Sequence, residues 1–203
     1  MSFKKNNGFT LIEVMITVAI VTILSATAVV NYYSFNDRLS LSSAGQEMAL
    51  NIRQSQVYGL NVKEASVGGG IFTSGYGIYF NMDSGSNDNY IVFVDKDGDQ
   101  KYDEDSGCGS GNTECVESVF LKNGVTISFI DSVESCPASN SARYLTITFL
   151  RPNPDADISF FNSGGNNKAC SKMSSALITL NSRGGRSMIL SVEKTGQIYT
   201  QES

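Results

Sequence analysis

One apolar segment near the N-terminus constrains this chain more than any other feature of its sequence. The 22 residues from Phe9 to Val30 carry a single charged side chain, Glu13. A helix rises ~1.5 Å per residue, so this segment would extend roughly 33 Å, about the thickness of the hydrocarbon core of a bilayer. The segment therefore predicts one membrane-spanning helix.

The charges around this segment predict its orientation and an unusual site within it. Lys4 and Lys5 precede the apolar run, and basic residues concentrate on the cytoplasmic side of membrane spans, so the C-terminal part should face outward. Glu13 lies inside the span, where a carboxylate costs on the order of 2–3 kcal/mol. A charge that costly usually has a function, so we expect Glu13 to be a functional residue.

The junction between the polar leader and the apolar segment resembles the class III signal of type IV prepilins and pseudopilins. The matching string is Gly8-Phe9-Thr10-Leu11-Ile12-Glu13. The resemblance implies that a prepilin peptidase cleaves after Gly8 and that Phe9 is then N-methylated. It also implies that Glu13 pairs with the α-amine of a neighbouring subunit, and that the partners of the chain are other pilins.

Two other interpretations of this segment compete with the prepilin interpretation. A secretory signal peptide could be cut after the small-residue pattern Ala26-Thr27-Ala28. A plain membrane anchor with an incidental glutamate would also explain the hydropathy. The acidic residue inside the apolar stretch and the unbroken prepilin-like string favour the prepilin interpretation.

The rest of the chain predicts an α+β protein, and the prepilin resemblance implies a fold of the type IV pilin-like kind. Leu41, Ala44, Met48 and Ile52 recur at three- and four-residue steps, which predicts that the helix continues to about residue 62 with one apolar face. Short segments rich in β-branched and aromatic residues follow, separated by Gly, Asn, Asp and Ser. A helix followed by a run of antiparallel strands indicates the α+β class.

The predicted domains follow from these patterns. They are a leader (1–8), a transmembrane or filament-core helix (9–30), its amphipathic continuation (31–62) and a β-rich globular domain (71–203). Strands are predicted at 77–80, 90–94, 118–122, 125–130, 144–150, 158–161, 176–180, 188–192 and 197–200. Asn123-Gly124 predicts a two-residue hairpin, and Thr195-Gly196 predicts another turn.

Composition excludes several classes of function. Histidine is absent, which removes His-based triads, His metal ligands and the commonest general base. Acidic residues outnumber basic ones by 20 to 15, and loss of the leader would remove two lysines. A protein that binds nucleic acid over its whole surface is therefore disfavoured. We predict a structural subunit and not an enzyme.

Four cysteines follow the membrane segment: Cys108, Cys115, Cys136 and Cys170. In an oxidising compartment they should form disulfides, for which three connectivities exist. We expect Cys108–Cys115, which flank a short loop, and Cys136–Cys170. A zinc site is the alternative, but it would need Cys-x-x-Cys spacing, which is missing.

Residues 95–105 form an acidic segment that could bind calcium. Asp95, Asp97 and Asp99 occupy positions one, three and five of a calcium-type loop, and Asp103 occupies position nine. The glycine and the closing bidentate glutamate of such loops are missing, so a solvated acidic turn is the alternative. Paired carboxylates could also serve hydrolysis, but no pocket signal accompanies them.

The order of the pieces resembles the H-type pseudopilins of type II secretion and the FimT/FimU-like minor pilins. The strand end Phe93-Val94-Asp95 and the closing pair Gly196-Gln197 carry this resemblance, although those families have Arg where this chain has Gln197. The resemblance implies a minor subunit at or near the tip of a type IV pilus or a secretion pseudopilus. It would be anchored in the inner membrane by one span, with its C-terminal domain in the periplasm.

A basic group near the C-terminus suggests a second partner. Arg183, Arg186 and Lys194 surround a Gly-Gly turn, and arginines in a loop can contact phosphates without reading a base sequence. Some FimT-like relatives bind DNA through such residues, so a DNA-uptake receptor is the alternative function. Charges that protect strand edges from aggregation are the simpler explanation.

Overall fold

A computed structural model describes residues 8–61, 74–83, 85, 87–103, 108, 114–132, 142–162 and 168–202. One helix, α1 (Leu11–Leu60), begins the fold and runs 50 residues without interruption. Thr10 caps its N-terminus, where the Thr10 hydroxyl accepts a hydrogen bond from the Glu13 N–H at 3.3 Å. At the other end the Asn61 N–H donates to the Val57 carbonyl at 3.0 Å, and the backbone then becomes extended.

The described residues include ten strands, which form two antiparallel sheets. The strands are β1 (Gly75–Asn81), β2 (Asn89–Asp95), β3 (Cys115–Phe120), β4 (Thr126–Asp131), β5 (Ala142–Phe149), β6 (Ala156–Asn162), β7 (Lys168–Ser171), β8 (Ser175–Asn181), β9 (Ser187–Glu193) and β10 (Ile198–Glu202). Six strands form one sheet in the order β3-β2-β1-β5-β6-β7, and four form the other in the order β10-β9-β8-β4. The α+β architecture, with a long helix packed on antiparallel sheets, is as predicted.

The C-terminal half of α1 packs on the sheets through the apolar stripe that the sequence predicts. Leu41, Ala44, Met48 and Ile52 are all buried, the last two completely. They join one core with side chains from both sheets. The helix crosses β5 so closely at Gly59 that a Cβ atom there would collide with the carbonyl oxygen of Phe149.

The prediction of a hairpin at Asn123-Gly124 is wrong in its strand pairing. Both residues have the positive φ of a type I′ turn, 59° and 74°, and the Val125 N–H donates to the Lys122 carbonyl at 3.2 Å. However, β3 pairs with β2 in one sheet while β4 pairs with β8 in the other. The turn therefore carries the chain from one sheet to the next.

One further difference concerns the C-terminal strands. Strand β7 was not predicted, because its four residues show no alternation of apolar and polar side chains. The turn at Thr195-Gly196 joins β9 to β10 as predicted, with Gly196 at φ 78° and its N–H donating to the Glu193 carbonyl at 2.8 Å.

Candidate functional site

The N-terminal junction is exposed and precedes the helix. Gly8 has no heavy atom within 4 Å of the position where a Cβ would lie, and Phe9 is 84 % exposed. Thr10 is extended, so Gly8 and Phe9 lie outside the first helical turn. A peptide bond in this position is accessible to a peptidase without unwinding α1.

The first part of α1 is apolar on every side and packs against no other described segment. Its side chains from Leu11 to Val29 are exposed, and this helix alone, among the described residues, is long and apolar enough to cross a membrane, with a mean hydropathy of 2.2 over its best window. A helix that is apolar all round is stable only when lipid or other helices surround it. Glu13 lies in its first turn, exposed among these apolar side chains.

Three threonines within this apolar part satisfy their own hydroxyl groups. Thr17, Thr22 and Thr27 each donate to a backbone carbonyl three residues earlier, at 2.8–2.9 Å. Such bonds remove the need for water at these hydroxyls, which suits a helix in lipid. The described residues offer the Glu13 carboxylate no equivalent hydrogen bond.

A comparison with protein families identifies this segment. Residues 3–29 match the family model described as "Prokaryotic N-terminal methylation motif". The chain carries a type IV prepilin-like methylation motif at its N-terminus. The motif indicates prepilin processing, assembly with other pilins and a structural role, and together with the apolar helix it fits anchoring in a membrane. Neither a curated protein nor a solved structure matches the chain closely enough to add a relative.

The acidic loop after β2 brings three of its four predicted ligands together. Oxygen atoms of Asp95, Asp97 and Asp99 all lie within 4.8 Å of one another. Asp103 is not part of this group, and its carboxylate lies 3.4 Å from the Lys101 ammonium. Hard carboxylate oxygens suit calcium, but a calcium site would need further ligands from backbone or water.

The backbone of the loop compensates for its missing glycine. Gln100 occupies the glycine position and has φ 65°, a left-handed conformation that glycine adopts at no cost. The Asp95 carboxylate holds this turn, because it accepts hydrogen bonds from the N–H groups of Gly98 at 2.8 Å and Gln100 at 3.0 Å. Asp97 and Asp99 each accept from the N–H two residues later.

Glu114 belongs to the same acidic centre, although no sequence motif includes it. It is buried, and its two carboxylate oxygens accept from the N–H groups of Lys96 at 2.8 Å and Asp103 at 3.0 Å. Glu114 therefore connects both ends of the acidic loop. Its neighbour Cys115 forms the predicted disulfide with Cys108, with a Cα–Cα distance of 4.9 Å.

Burial raises the pKa values of the two central carboxyl groups. The pKa of Asp95 rises to about 6, mainly because of desolvation, while the two N–H donors oppose the rise and the charges of Asp99 and Asp97 add to it. Desolvation likewise raises the pKa of Glu114 to about 7, opposed by its N–H donors and reinforced by Asp95 and Asp97. The centre therefore holds carboxylates whose negative charge a proton or a cation would neutralise.

Cys170 also forms a disulfide. Its predicted partner, Cys136, lies outside the described residues.

The three basic residues that the sequence grouped do not form one site. Arg183 and Arg186 lie on the β8–β9 turn, whereas Lys194 lies on the β9–β10 turn at the opposite end of β9. Arg186 and Lys194 are separated by the seven residues of β9, and eight steps of about 3.3 Å place them roughly 26 Å apart. The two arginines instead line a cleft beside α1 with Tyr33, Ser34 and Asp37.

Asp37 is a second residue whose role the sequence did not indicate. Its carboxylate accepts hydrogen bonds from the Ser182 hydroxyl at 2.7 Å and the Gly184 N–H at 3.0 Å. A Cβ at Gly184 would collide with the Asp37 carboxylate, so only glycine permits this approach. The contact fixes α1 to the β8–β9 turn at the point where the helix leaves the domain.

Proposed function

We propose that the chain is a minor pilin or pseudopilin, a non-catalytic subunit that is processed after Gly8 and joins a type IV pilus or a type II secretion pseudopilus. The observation that carries this proposal is the methylation motif on an apolar, fully exposed helix that continues without a break into a β-rich domain. The exposed part of this helix, from Leu11 to Val29, needs partners on every side, and a bundle of equivalent helices supplies them.

Within this proposal each N-terminal residue has a role. Gly8 is the cleavage site, Phe9 provides the methylated α-amine, and Glu13 pairs with the amine of a neighbouring subunit. Opposite charges attract far more strongly in a low-dielectric bundle than in water, so the pair sets the axial position of one subunit against the next. Before assembly the helix crosses the inner membrane and the domain lies in the periplasm. After assembly the domain lies at or near the tip of the filament.

Processing is tested by mass spectrometry of the chain from sheared filaments. We expect a chain that begins at methylated Phe9. Gly8→Ala should be processed better than Gly8→Glu, because a bulky charged side chain should not fit the peptidase site. A mature chain that begins at Val29, the product of signal-peptide cleavage after Ala28, would contradict the proposal.

The alternative function as a DNA-uptake receptor has less support. It relied on three basic residues acting together, and Lys194 lies at the other end of β9 from the two arginines. Calcium binding by the acidic loop stays a proposal, supported by the three converging carboxylates.

A further inference from the structure

The cleft that contains Arg183 and Arg186 lies where α1 leaves the domain. One wall is the helix around Tyr33, Ser34 and Asp37, and the other is the β8–β9 turn. The Arg186 guanidinium donates a hydrogen bond to the Ser34 hydroxyl at 3.1 Å. This contact fixes the height of the guanidinium along the helix axis.

That height corresponds to the head-group layer of a membrane. If residues 9–30 span the hydrocarbon core, Ser34 lies four residues beyond it, or about 6 Å along the helix. The polar layer of each leaflet extends roughly 5–8 Å beyond the hydrocarbon. The Arg186 guanidinium would therefore lie among the lipid phosphates of the outer leaflet.

The aromatic residues of the same helical turn support this placement independently. Tyr32, Tyr33 and Phe35 are 65 %, 71 % and 66 % exposed, and nothing in the described part of the chain covers them. Tyrosine and other aromatic side chains concentrate at the membrane–water interface, where an apolar ring and a polar edge are both satisfied. They begin two residues after the apolar segment ends.

The two guanidinium groups are available to a phosphate. No ion pair within 4.0 Å joins Arg183 or Arg186 to a carboxylate of the described residues. Asp37, the acidic residue in the cleft, already accepts from Ser182 and Gly184. The planar donor fork of arginine matches phosphate oxygens closely.

We propose that Arg183 and Arg186 bind the phosphate groups of anionic lipids in the outer leaflet while the chain resides in the membrane before assembly. The inference rests on the proposed membrane insertion. It fixes the domain against the bilayer surface, with the β8–β9 turn facing the lipid. A DNA duplex fits less well, because the cleft adjoins the membrane span and Lys194 is too far away to contribute.

The test uses the full chain in nanodiscs of phosphatidylcholine, with or without phosphatidylglycerol, and measures hydrogen exchange of the segment 182–187. Each arginine near an anionic surface contributes about a fivefold preference, so the two together should slow exchange by up to about 25-fold when phosphatidylglycerol is present. High salt should reduce this protection, since it screens the contact. The Arg183→Gln/Arg186→Gln double variant should exchange equally in both lipids, and the control Lys194→Gln should behave as wild type.

Equal exchange of the wild type in both lipids would overturn the inference, as would protection that persists in the double variant or disappears in Lys194→Gln. Protection by added duplex DNA in phosphatidylcholine nanodiscs, without any effect of phosphatidylglycerol, would assign the cleft to nucleic acid instead. A chain that fails to insert into nanodiscs would contradict the proposed function itself. Insertion without lipid-dependent protection would contradict only the inference.

Discussion

The two halves of α1 are stabilised by different surroundings although they form one continuous helix. From Leu11 to Val29 the helix is exposed, with apolar side chains on all faces. From Ser40 to Leu60 one face is buried on the sheets and the others are polar or partly exposed. The second half is stabilised by its own domain, whereas the first half needs lipid or neighbouring subunits.

The largest expected effect is the contrast between two isoleucines of this helix. Ile52 is completely buried and Ile23 is 66 % exposed. Ile52→Ala removes packed methylene groups from the core, so it should lower the free energy of unfolding by about 3 kcal/mol. Ile23→Ala should leave unfolding of the domain unchanged. Thermal unfolding of the full chain in detergent measures both, and equal losses would show that the halves are not independent.

The next prediction concerns the exposed half of α1, where a substitution should affect filament assembly and not folding. Glu13→Val removes a charge that costs on the order of 2–3 kcal/mol in lipid, so membrane insertion should not weaken. Filament incorporation should fall at least tenfold, because the pairing with a neighbouring amine is lost. Glu13→Asp, which keeps the charge, is the matched control. The ratio of filament to membrane fractions decides, and normal incorporation of the Val variant would remove the proposed role of Glu13.

The domain, but not the exposed half, should respond to pH. Asp95 and Glu114 have raised pKa values, about 6 and about 7, so the folded state binds their protons more tightly than the unfolded state. Their contribution to stability is complete below about pH 4 and disappears as the pH rises through 6 and 7. Stability should therefore increase by on the order of 2 kcal/mol between pH 8 and pH 5, as measured by denaturant unfolding.

The control for this pH effect compares how strongly stability changes with pH in a variant and in the wild type. The absolute stability of the variant does not matter. The Asp95→Asn/Glu114→Gln double variant loses both titrating groups, whatever it does to folding. Its stability should change less between pH 8 and pH 5 than that of the wild type. An unchanged slope would mean that other groups carry the pH dependence.

Calcium bound at the same acidic centre should raise the free energy of unfolding by about 1 kcal/mol. If the loop binds the cation, millimolar calcium should raise the melting temperature at pH 8, because ligand binding to the folded state stabilises it. The shift should shrink at pH 5, where protons compete for Asp95 and its neighbours. Asp95→Asn combined with Asp97→Asn should abolish it, and Glu202→Gln, on the exposed last strand, should not. A melting curve insensitive to calcium at both pH values would exclude the site.

Local patterns predicted the helix and its buried stripe, because Met48 and Ile52 repeat at helical spacing and the strands alternate. The same patterns could not predict which strands pair. Asn123-Gly124 forms the expected turn, yet β3 and β4 belong to different sheets. Pairing depends on the burial of whole sheets, which a two-residue signal does not contain.

The functional residues divide in the same way. Asp95 and Asp97 were predicted because they are close in sequence, whereas Glu114 reaches the same centre through contacts with Lys96 and Asp103. Lys194 was grouped with Arg183 by sequence proximity, but an intervening strand places the two at opposite ends of a sheet. Sequence spacing predicts proximity within a loop and fails once a strand intervenes.

The smallest effect concerns the joint between the two halves of α1. Asp37→Asn keeps the shape of the side chain but leaves only one of its two atoms able to accept from Ser182 and Gly184. Hydrogen bonds to a charged acceptor contribute roughly 1–2 kcal/mol more to stability than hydrogen bonds to a neutral one. The free energy of unfolding should therefore fall by about 1 kcal/mol. In a chain of this size such a loss lowers the melting temperature by about 2–4 °C. Hydrogen exchange at the Gly184 N–H should accelerate, whereas exchange in β1 should not change locally. Faster exchange throughout the domain would indicate that Asp37 supports the whole fold, and unchanged exchange at Gly184 would show that the contact does not hold the joint between the exposed half and the domain.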